Sequence, residues 1–147
     1  MKMLITTALA ALPVGDGGAG TDTGRETPMS TGALYNRGLA YQHKGDYDRA
    51  ISDYTEALRI KPDDHEVLYN RGVAYRKKGD FESAIVDYTE ALRIKPDLHE
   101  ALSNRGNAYR KKGDIERAIA DWEAALRINP DDAQAREAIE EARRGQS

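Results

Sequence analysis

The sequence predicts an all-α protein made of three consecutive helix–turn–helix units followed by one further helix. Three observations carry this prediction. The same residue types return every 34 residues, most visibly at Pro62, Pro96 and Pro130. Within each unit, apolar and small residues recur at i, i+4 and i+7, the spacing of one helix face. A Gly-Asp step, such as Gly45-Asp46, interrupts this spacing in the middle of every unit. A fixed period of this length is typical of stacked supersecondary units.

The N-terminal segment, residues 1–30, differs from the rest of the chain. A single lysine precedes an apolar run over residues 3–12, and a glycine-rich stretch follows over residues 15–21. This order of basic, apolar and small residues is typical of a secretory signal peptide. It predicts a periplasmic or secreted protein, with cleavage after Ala19 or Gly20. A disordered tail on a cytoplasmic protein is the alternative interpretation.

Glycines in this segment also have the spacing of a dinucleotide-binding fingerprint, at Gly15, Gly17 and Gly20. That motif binds a pyrophosphate only where it joins a strand to a helix. Here no strand pattern precedes the glycines and no helical pattern follows closely. We therefore interpret the segment as a linker and predict no cofactor.

The three repeated units span residues 31–64, 65–98 and 99–132. In the first unit, Leu34, Gly38 and Tyr41 mark one face of the first helix. The glycine of the central step can adopt the left-handed conformation that ends a helix, and Asp46 can cap the next helix. The second helix then ends before Pro62, because the residue preceding a proline disfavours the helical conformation.

A last helix is predicted over residues 133–144. Ala135, Ile139 and Ala142 share one face of it, while its charged residues lie on the other side. Stacked helix pairs require a terminal helix with a polar outer surface, because the last pair otherwise exposes an apolar side. We predict that this helix is a cap.

Seven positions in each unit resemble the signature of the tetratricopeptide repeat. They are Leu34, Gly38, Tyr41, Ala50, Tyr54, Ala57 and Pro62, then Leu68, Gly72, Tyr75, Ala84, Tyr88, Ala91 and Pro96, then Leu102, Gly106, Tyr109, Ala118, Trp122, Ala125 and Pro130. The chain thus resembles tetratricopeptide-repeat proteins of the bacterial type. The resemblance implies a right-handed α-solenoid whose first helices line a concave groove. It implies a scaffold or adaptor that binds another protein, not an enzyme.

The side chains that point away from the partner helix follow from a rotation of about 100° per residue. The resemblance places them in the groove, where an extended peptide would contact Asn36, Asn70, Asn104, Tyr35, Tyr69, Leu39, Val73, Asn107, Lys77 and Lys111. One asparagine per unit can both donate to and accept from a peptide backbone, whatever the peptide's sequence. An asparagine that is merely tolerated on a polar face is the alternative.

The chaperone-binding mode of the family fits these residues poorly. Chaperone-binding members hold a C-terminal carboxylate with two lysines, two asparagines and an arginine. Asn70 matches one of these positions, but the other four carry Tyr35, Leu39, Glu100 and Asn104. Because Glu100 would repel a carboxylate, we predict a different partner.

Basic runs end two of the first helices, Arg76-Lys77-Lys78 and Arg110-Lys111-Lys112. Cations are favoured at a helix C-terminus, which explains the runs as solvated helix ends. The alternative function is a regulatory or nucleic-acid-associated module that uses these ends. A net charge of −3 makes a general nucleic-acid binder unlikely, since such proteins carry a basic excess.

Recurrent charges of opposite sign also predict contacts inside each unit. Arg37, Arg71 and Arg105 stand where the family has an apolar residue, and we expect them to reach Asp53, Asp87 and Asp121. Their aliphatic stems would remain packed while the guanidinium groups bind the carboxylates.

Catalytic and metal-binding chemistry finds no support in the residue types. The chain has no cysteine, which excludes disulfides, thiolate metal sites and a cysteine nucleophile. His43, His65 and His99 have no third ligand at metal spacing. No apolar stretch approaches the ~20 residues of a membrane-spanning helix. We predict no enzymatic activity, no metal and no membrane insertion of the mature chain.

Overall fold

The computed structural model describes residues 27–146, and every regular element among them is a helix. The seven helices are α1 (Thr31–His43), α2 (Tyr47–Ile60), α3 (His65–Lys78), α4 (Phe81–Ile94), α5 (His99–Lys111), α6 (Ile115–Ile128) and α7 (Ala133–Gln146). The predicted leader, its cleavage sites and the glycine fingerprint lie outside the described residues.

The helices form three pairs and a terminal helix, as predicted. Helix α1 packs on α2, α3 on α4 and α5 on α6. Each pair contacts the next through its second helix, because α2 also packs on α3 and α4 on α5. Helix α7 packs on α6. The architecture is therefore all-α, with three helix–turn–helix units in succession.

The turn inside each pair has the predicted glycine and aspartate geometry. Gly45, Gly79 and Gly113 have φ angles of 81°, 87° and 86°, in the left-handed region. The aspartate that follows each glycine accepts a backbone hydrogen bond from the next helix; Asp80, for example, accepts from Ser83 N at 3.1 Å. The glycine ends one helix and the aspartate begins the other, so the turn is encoded locally.

A second set of glycines allows the two helices of a pair to approach closely. A Cβ atom added at Gly72 would lie 2.7 Å from Cε1 of Tyr88. Gly38 meets Tyr54 and Gly106 meets Trp122 in the same way. These aromatic rings are the largest fully buried side chains among the described residues. Each pair is thus packed around one ring that lies directly on a glycine.

The first helix of each pair begins at a side-chain cap, with one exception. Ser30 accepts a hydrogen bond from Ala33 N at 3.1 Å, and Asp64 accepts one from Val67 N at 3.3 Å. Leu98 stands at the corresponding position before α5 and makes no capping hydrogen bond. Its side chain packs instead against two of the apolar clusters.

Helix α7 covers the third pair, as the cap prediction requires. Ala135 and Ile139 are 2% and 5% exposed and form one apolar cluster with Ala118 and Trp122. Ala142 is partly buried against the same cluster. The helix runs two residues beyond the predicted end at 144.

Candidate functional site

One row of side chains runs along each first helix on the side away from its partner. In α3 the row is Glu66, Asn70, Val73 and Lys77, whose spacing of four, three and four residues returns to one side of a helix. The rows of α1 and α5 contain Gly32, Asn36, Leu39 and His43, and Glu100, Asn104, Asn107 and Lys111. We call these three rows the inner face.

The inner face carries opposite charges at its two edges. Glu66 and Glu100 are exposed at the N-terminal ends of α3 and α5, and Lys77 and Lys111 are exposed at the C-terminal ends. Eleven residues of helix separate the members of each pair, a distance of about 16 Å at 1.5 Å per residue. The middle of each row is partly buried and uncharged.

Two of the three asparagines connect neighbouring units. Asn70 Nδ2 donates to the Tyr35 hydroxyl at 3.0 Å, and Asn104 Nδ2 donates to the Tyr69 hydroxyl at 2.9 Å. Asn70 Nδ2 also donates to the backbone oxygen of Glu66 at 3.0 Å. Burial raises the pKa of Tyr35, and the nearby Glu66 carboxylate raises it further. The tyrosines therefore remain protonated, and both amide hydrogens of Asn70 are already used.

Asn36 differs from the other two because no unit precedes it among the described residues. Its side chain is exposed, and we find no hydrogen bond to it within residues 27–146. The sequence treats the three asparagines as equivalent, whereas the structure leaves a complete free amide only at Asn36. At Asn70 the oxygen remains available to a ligand, but the NH₂ group does not.

The predicted aromatic contacts are partly occupied within the units. Tyr35 lies against Tyr54, with ring centroids 6.1 Å apart, and Tyr69 lies against Tyr88 at 5.8 Å. Both outer edges remain accessible, since Tyr35 and Tyr69 are only partly buried. The third unit has Ser103 at this position, which donates to Asp132 Oδ2 at 3.1 Å.

The uncharged residues between the edges are also anchored from below. Leu39 and Val73 are half-buried against apolar clusters of the core. Asn107 Oδ1 accepts a hydrogen bond from Trp122 Nε1 at 3.1 Å. A ligand would thus meet the exposed side of residues whose orientation the fold already determines.

The basic helix ends are divided between the two sides of the molecule. Lys78 Nζ lies 2.5 Å from Asp48, a residue of the preceding unit, and Lys112 pairs with Glu82 in the same way. We find no ion pair for Lys77 or Lys111 within the described part of the chain. Only these two lysines therefore offer unpaired charge at the inner face.

The arginine–aspartate contacts predicted inside each unit are confirmed. Arg71 donates from Nε and Nη2 to the two carboxylate oxygens of Asp87, both at 2.8 Å. Arg37 binds Asp53 and Arg105 binds Asp121 with the same two bonds and distances.

Sequence reasoning did not find the threonines that extend these contacts between units. Arg71 Nη1 donates to Thr55 of the preceding unit at 3.1 Å, and Arg105 Nη1 donates to Thr89 at 3.0 Å. The signal for them was present, because a threonine recurs two residues before the alanine of each of these second helices.

Groups capable of metal chemistry do not converge among the described residues. Within residues 27–146, no three histidine, aspartate or glutamate side chains are arranged to hold a metal ion. His99 Nδ1 lies 3.5 Å from Glu100, a contact at the start of α5. None of the helices described combines the length and the apolar character that crossing a membrane requires.

Comparison with known families and structures gives consistent matches. The family described as tetratricopeptide repeat matches residues 32–64, 65–98 and 99–132, more than half of the chain. No curated protein matches the chain significantly.

Three similar solved structures are tetratricopeptide-repeat (TPR) domains. The first TPR of Spaghetti (RPAP3), bound to the HSP90 peptide SRMEEVD, is 26% identical, with a TM-score of 0.77 and coverage of 80% of this chain and 93% of that chain. The second TPR domain of human RPAP3, in complex with the HSP70 peptide SGPTIEEVD, is 28% identical, with a TM-score of 0.72 and coverage of 75% and 92%. The Arabidopsis OM64 TPR domain is 25% identical, with a TM-score of 0.75 and coverage of 78% and 94%. Such relatives do not assign the chain to a bacterial type.

Proposed function

Because this chain belongs to the tetratricopeptide repeat family, we propose that it is a non-catalytic module that holds an extended segment of another protein on its inner face. The observation that supports the proposal most is the exposed row of polar side chains that recurs on α1, α3 and α5. Rigid helices hold these side chains in fixed positions, so binding would cost little conformational entropy in the module.

The charged edges favour a peptide of mixed charge. Successive side chains of an extended chain point to opposite sides. A segment that runs from row to row would direct basic side chains towards Glu66 and Glu100 and acidic ones towards Lys77 and Lys111. Asn36 would bind the peptide backbone with its free amide, which can both donate and accept.

Two of the similar structures hold chaperone peptides that end in EEVD. We propose a different partner for this chain. Glu100 places an exposed carboxylate on the inner face, and Asn70 has no free amide hydrogen left to donate. A peptide with three acidic residues and a terminal carboxylate would be repelled at the acidic edge.

A peptide-library selection on the full chain, followed by titration of a selected peptide, tests the proposal. Asn36→Ala should weaken binding by about fivefold, the effect of losing one net hydrogen bond of about 1 kcal/mol. Its melting temperature should not change, because the side chain is exposed and unpaired. SRMEEVD, used as a defined probe, should bind more weakly than the selected peptides.

Lys77 and Lys78 provide a matched pair of variants. Lys77→Ala removes an unpaired charge from the inner face and should weaken peptide binding. Lys78→Ala removes the neighbouring charge, which is paired with Asp48, and should leave binding unchanged. Selected peptides that ignore both Asn36→Ala and Lys77→Ala would transfer the binding function to another surface.

Nucleic-acid binding through the basic helix ends is the less favoured function. Ion pairs with acidic residues already engage Lys78, Lys112 and Arg110. Two unpaired lysines are few for phosphate binding. A salt titration separates the alternatives, since each phosphate contact steepens the salt dependence of affinity.

A further inference from the structure

The first helices of the second and third units are covered by the unit that precedes them. The covered stripe of α3 is Val67, Asn70, Arg71 and Ala74, at i, i+3, i+4 and i+7. Val67 and Ala74 are 3% and 0% exposed. The two corresponding alanines of α5, Ala101 and Ala108, are both fully buried. The covering elements are α2 and α4, the second helices of the preceding units.

The same stripe of α1 lies open. We call it the leading face; it consists of Ala33, Asn36, Arg37 and Ala40. Ala40 is exposed, although its counterparts in α3 and α5 are fully buried. The side chain of Arg37 is 49% exposed, against 20% for Arg71 and 19% for Arg105. Arg37 also has no threonine bond of the kind that Arg71 and Arg105 make, within the part of the chain described. The leading face is the surface on which a second helix packs.

The N-terminal segment carries the spacing of such a second helix. In α2 and α4, and in the loops that follow, threonine, alanine, leucine and proline stand at relative positions 0, 2, 3 and 7. The sets are Thr55, Ala57, Leu58 and Pro62, and Thr89, Ala91, Leu92 and Pro96. The same four residue types with the same spacing occur at Thr6, Ala8, Leu9 and Pro13.

We propose that residues 3–12 cover the leading face of α1, as α2 covers α3. The Thr6 hydroxyl then accepts from Arg37, as Thr55 accepts from Arg71 at 3.1 Å. Ala8 and Leu9 take the places of Ala57 and Leu58, which are 1% and 8% exposed in the core.

One difference from the repeat follows from the same geometry. Leu4 stands where the units have their buried aspartate, whose role is to bind an arginine of its own first helix. The segment has no first helix of its own, so an aspartate there would be buried without a partner. An apolar residue avoids that cost.

The connection to α1 permits this arrangement. Residues 14–29 join the segment to the cap of α1, and sixteen residues can extend to about 50 Å. Helix α1 is only about 20 Å long. The entropic cost of closing a loop rises slowly with its length, so the long connection adds little penalty.

The proposal makes the opposite statement about the mature chain from the leader prediction. A signal peptide is removed, whereas a segment that covers α1 is retained. Leader cleavage after Ala19 or Gly20 would remove Thr6, Ala8 and Leu9 together. The two hypotheses are therefore separable by measurement on the full chain.

Hydrogen exchange of the full chain tests the proposal, with α5 as the internal reference. Leu9→Asp should speed amide exchange across residues 33–40 by about tenfold, because the open face lowers the local opening free energy. Ala10→Asp is the matched control; Ala10 corresponds to the exposed Arg59, and exchange should not change. Thr6→Val should speed exchange less than Leu9→Asp does, and Thr7→Val, which corresponds to Glu56, should have no effect.

Three results would overturn the proposal. The first is equal exchange in the full chain and in Leu9→Asp. The second is an intact mass showing that the protein from its native source begins after residue 13. The third is protection of α1 that rises with protein concentration, which would assign the leading face to a second copy of the chain.

Discussion

At the scale of single residues, the arginine–aspartate pairs orient the two helices of each unit. The Asp87 side chain is only 3% exposed. Burial raises the pKa of Asp87, and the hydrogen bonds from Arg71 oppose that rise. The carboxylate is thus stable in its charged form only because the guanidinium group satisfies both oxygens. A buried pair of this kind contributes most when one partner is removed and the other stays.

We expect Arg71→Leu to lower the free energy of unfolding by about 3 kcal/mol, because Asp87 is left buried without its partner. Asp87→Asn in that background should cost little more, so that a double-mutant cycle shows coupling of about 2 kcal/mol. Simple additivity, measured by chemical denaturation, would contradict the importance of the contact.

The pH dependence of Arg71→Leu provides a second test of the same pair. Without the arginine, the folded pKa of Asp87 lies further above its unfolded value, so the folded state binds the proton more tightly. Stability of the variant should therefore rise relative to wild type as the pH falls from about 7 to about 4. The Arg37–Asp53 pair is the control: Arg37 is 49% exposed, and its cycle should show weaker coupling.

These pairs could be predicted from recurrence alone, while the partners of the asparagines could not. Arg71 and Asp87 are 16 residues apart within one unit, and both recur in all three units. The bond between Asn70 and Tyr35 joins different units, 35 residues apart, and depends on how one unit stacks on the next. Helical periodicity places Asn70 on the correct side of α3 but does not contain that stacking geometry.

At the scale of helices, the distance between partners is determined by glycine. Gly72→Ala should destabilise the protein by about 2 kcal/mol, because the added methyl group would lie 2.7 Å from the fully buried Tyr88 ring. The better helix propensity of alanine, at most ~1 kcal/mol, does not compensate for this overpacking. Thermal unfolding measures the difference.

Gly32→Ala is the matched control for that substitution. Gly32 lies in the first turn of α1, and its nearest neighbour to an added Cβ is 4.0 Å away. Here the gain in helix propensity is unopposed, so stability should rise slightly. Equal destabilisation by both variants would show that glycine has a role other than close packing.

The helix ends were predictable wherever the signal is local. Glycine followed by aspartate determines each turn through the conformation of the glycine and the cap formed by the aspartate. Leu98 shows where this reasoning ends. The periodicity places a cap before α5, but the residue present packs into two apolar clusters instead. That choice depends on contacts with neighbouring units.

At the scale of the whole molecule, the two ends of the repeat array differ. Helix α7 closes the C-terminal end, where Ile139 and Ala135 cover Trp122. At the N-terminal end of the described residues, the leading face of α1 lies open. An array whose units contact only their neighbours is most vulnerable at an uncovered end.

Removal of α7 should therefore destabilise the third unit first. Deleting residues 132–147 exposes the apolar cluster around Trp122 and also removes Asp132, which accepts a hydrogen bond from Ser103. We expect a lower melting temperature and self-association, since a newly exposed apolar patch promotes aggregation. A truncated chain that remains monomeric with an unchanged melting temperature would show that α7 is not a cap.

A point substitution separates the capping contact from the other effects of truncation. Ile139→Gln keeps the helix but places a polar amide, unpaired, in the 5% exposed position against Trp122. It should lower the free energy of unfolding by about 3 kcal/mol, through lost apolar contact and the cost of burying the amide. Glu140→Gln, one residue further on the exposed side, should change stability by less than about 0.5 kcal/mol. If α7 caps the array, hydrogen exchange in Ile139→Gln will accelerate in α5 and α6 before α1 and α2. Uniform acceleration along the chain would mean that the three units unfold as one cooperative body and that the C-terminal contact supports all of them equally.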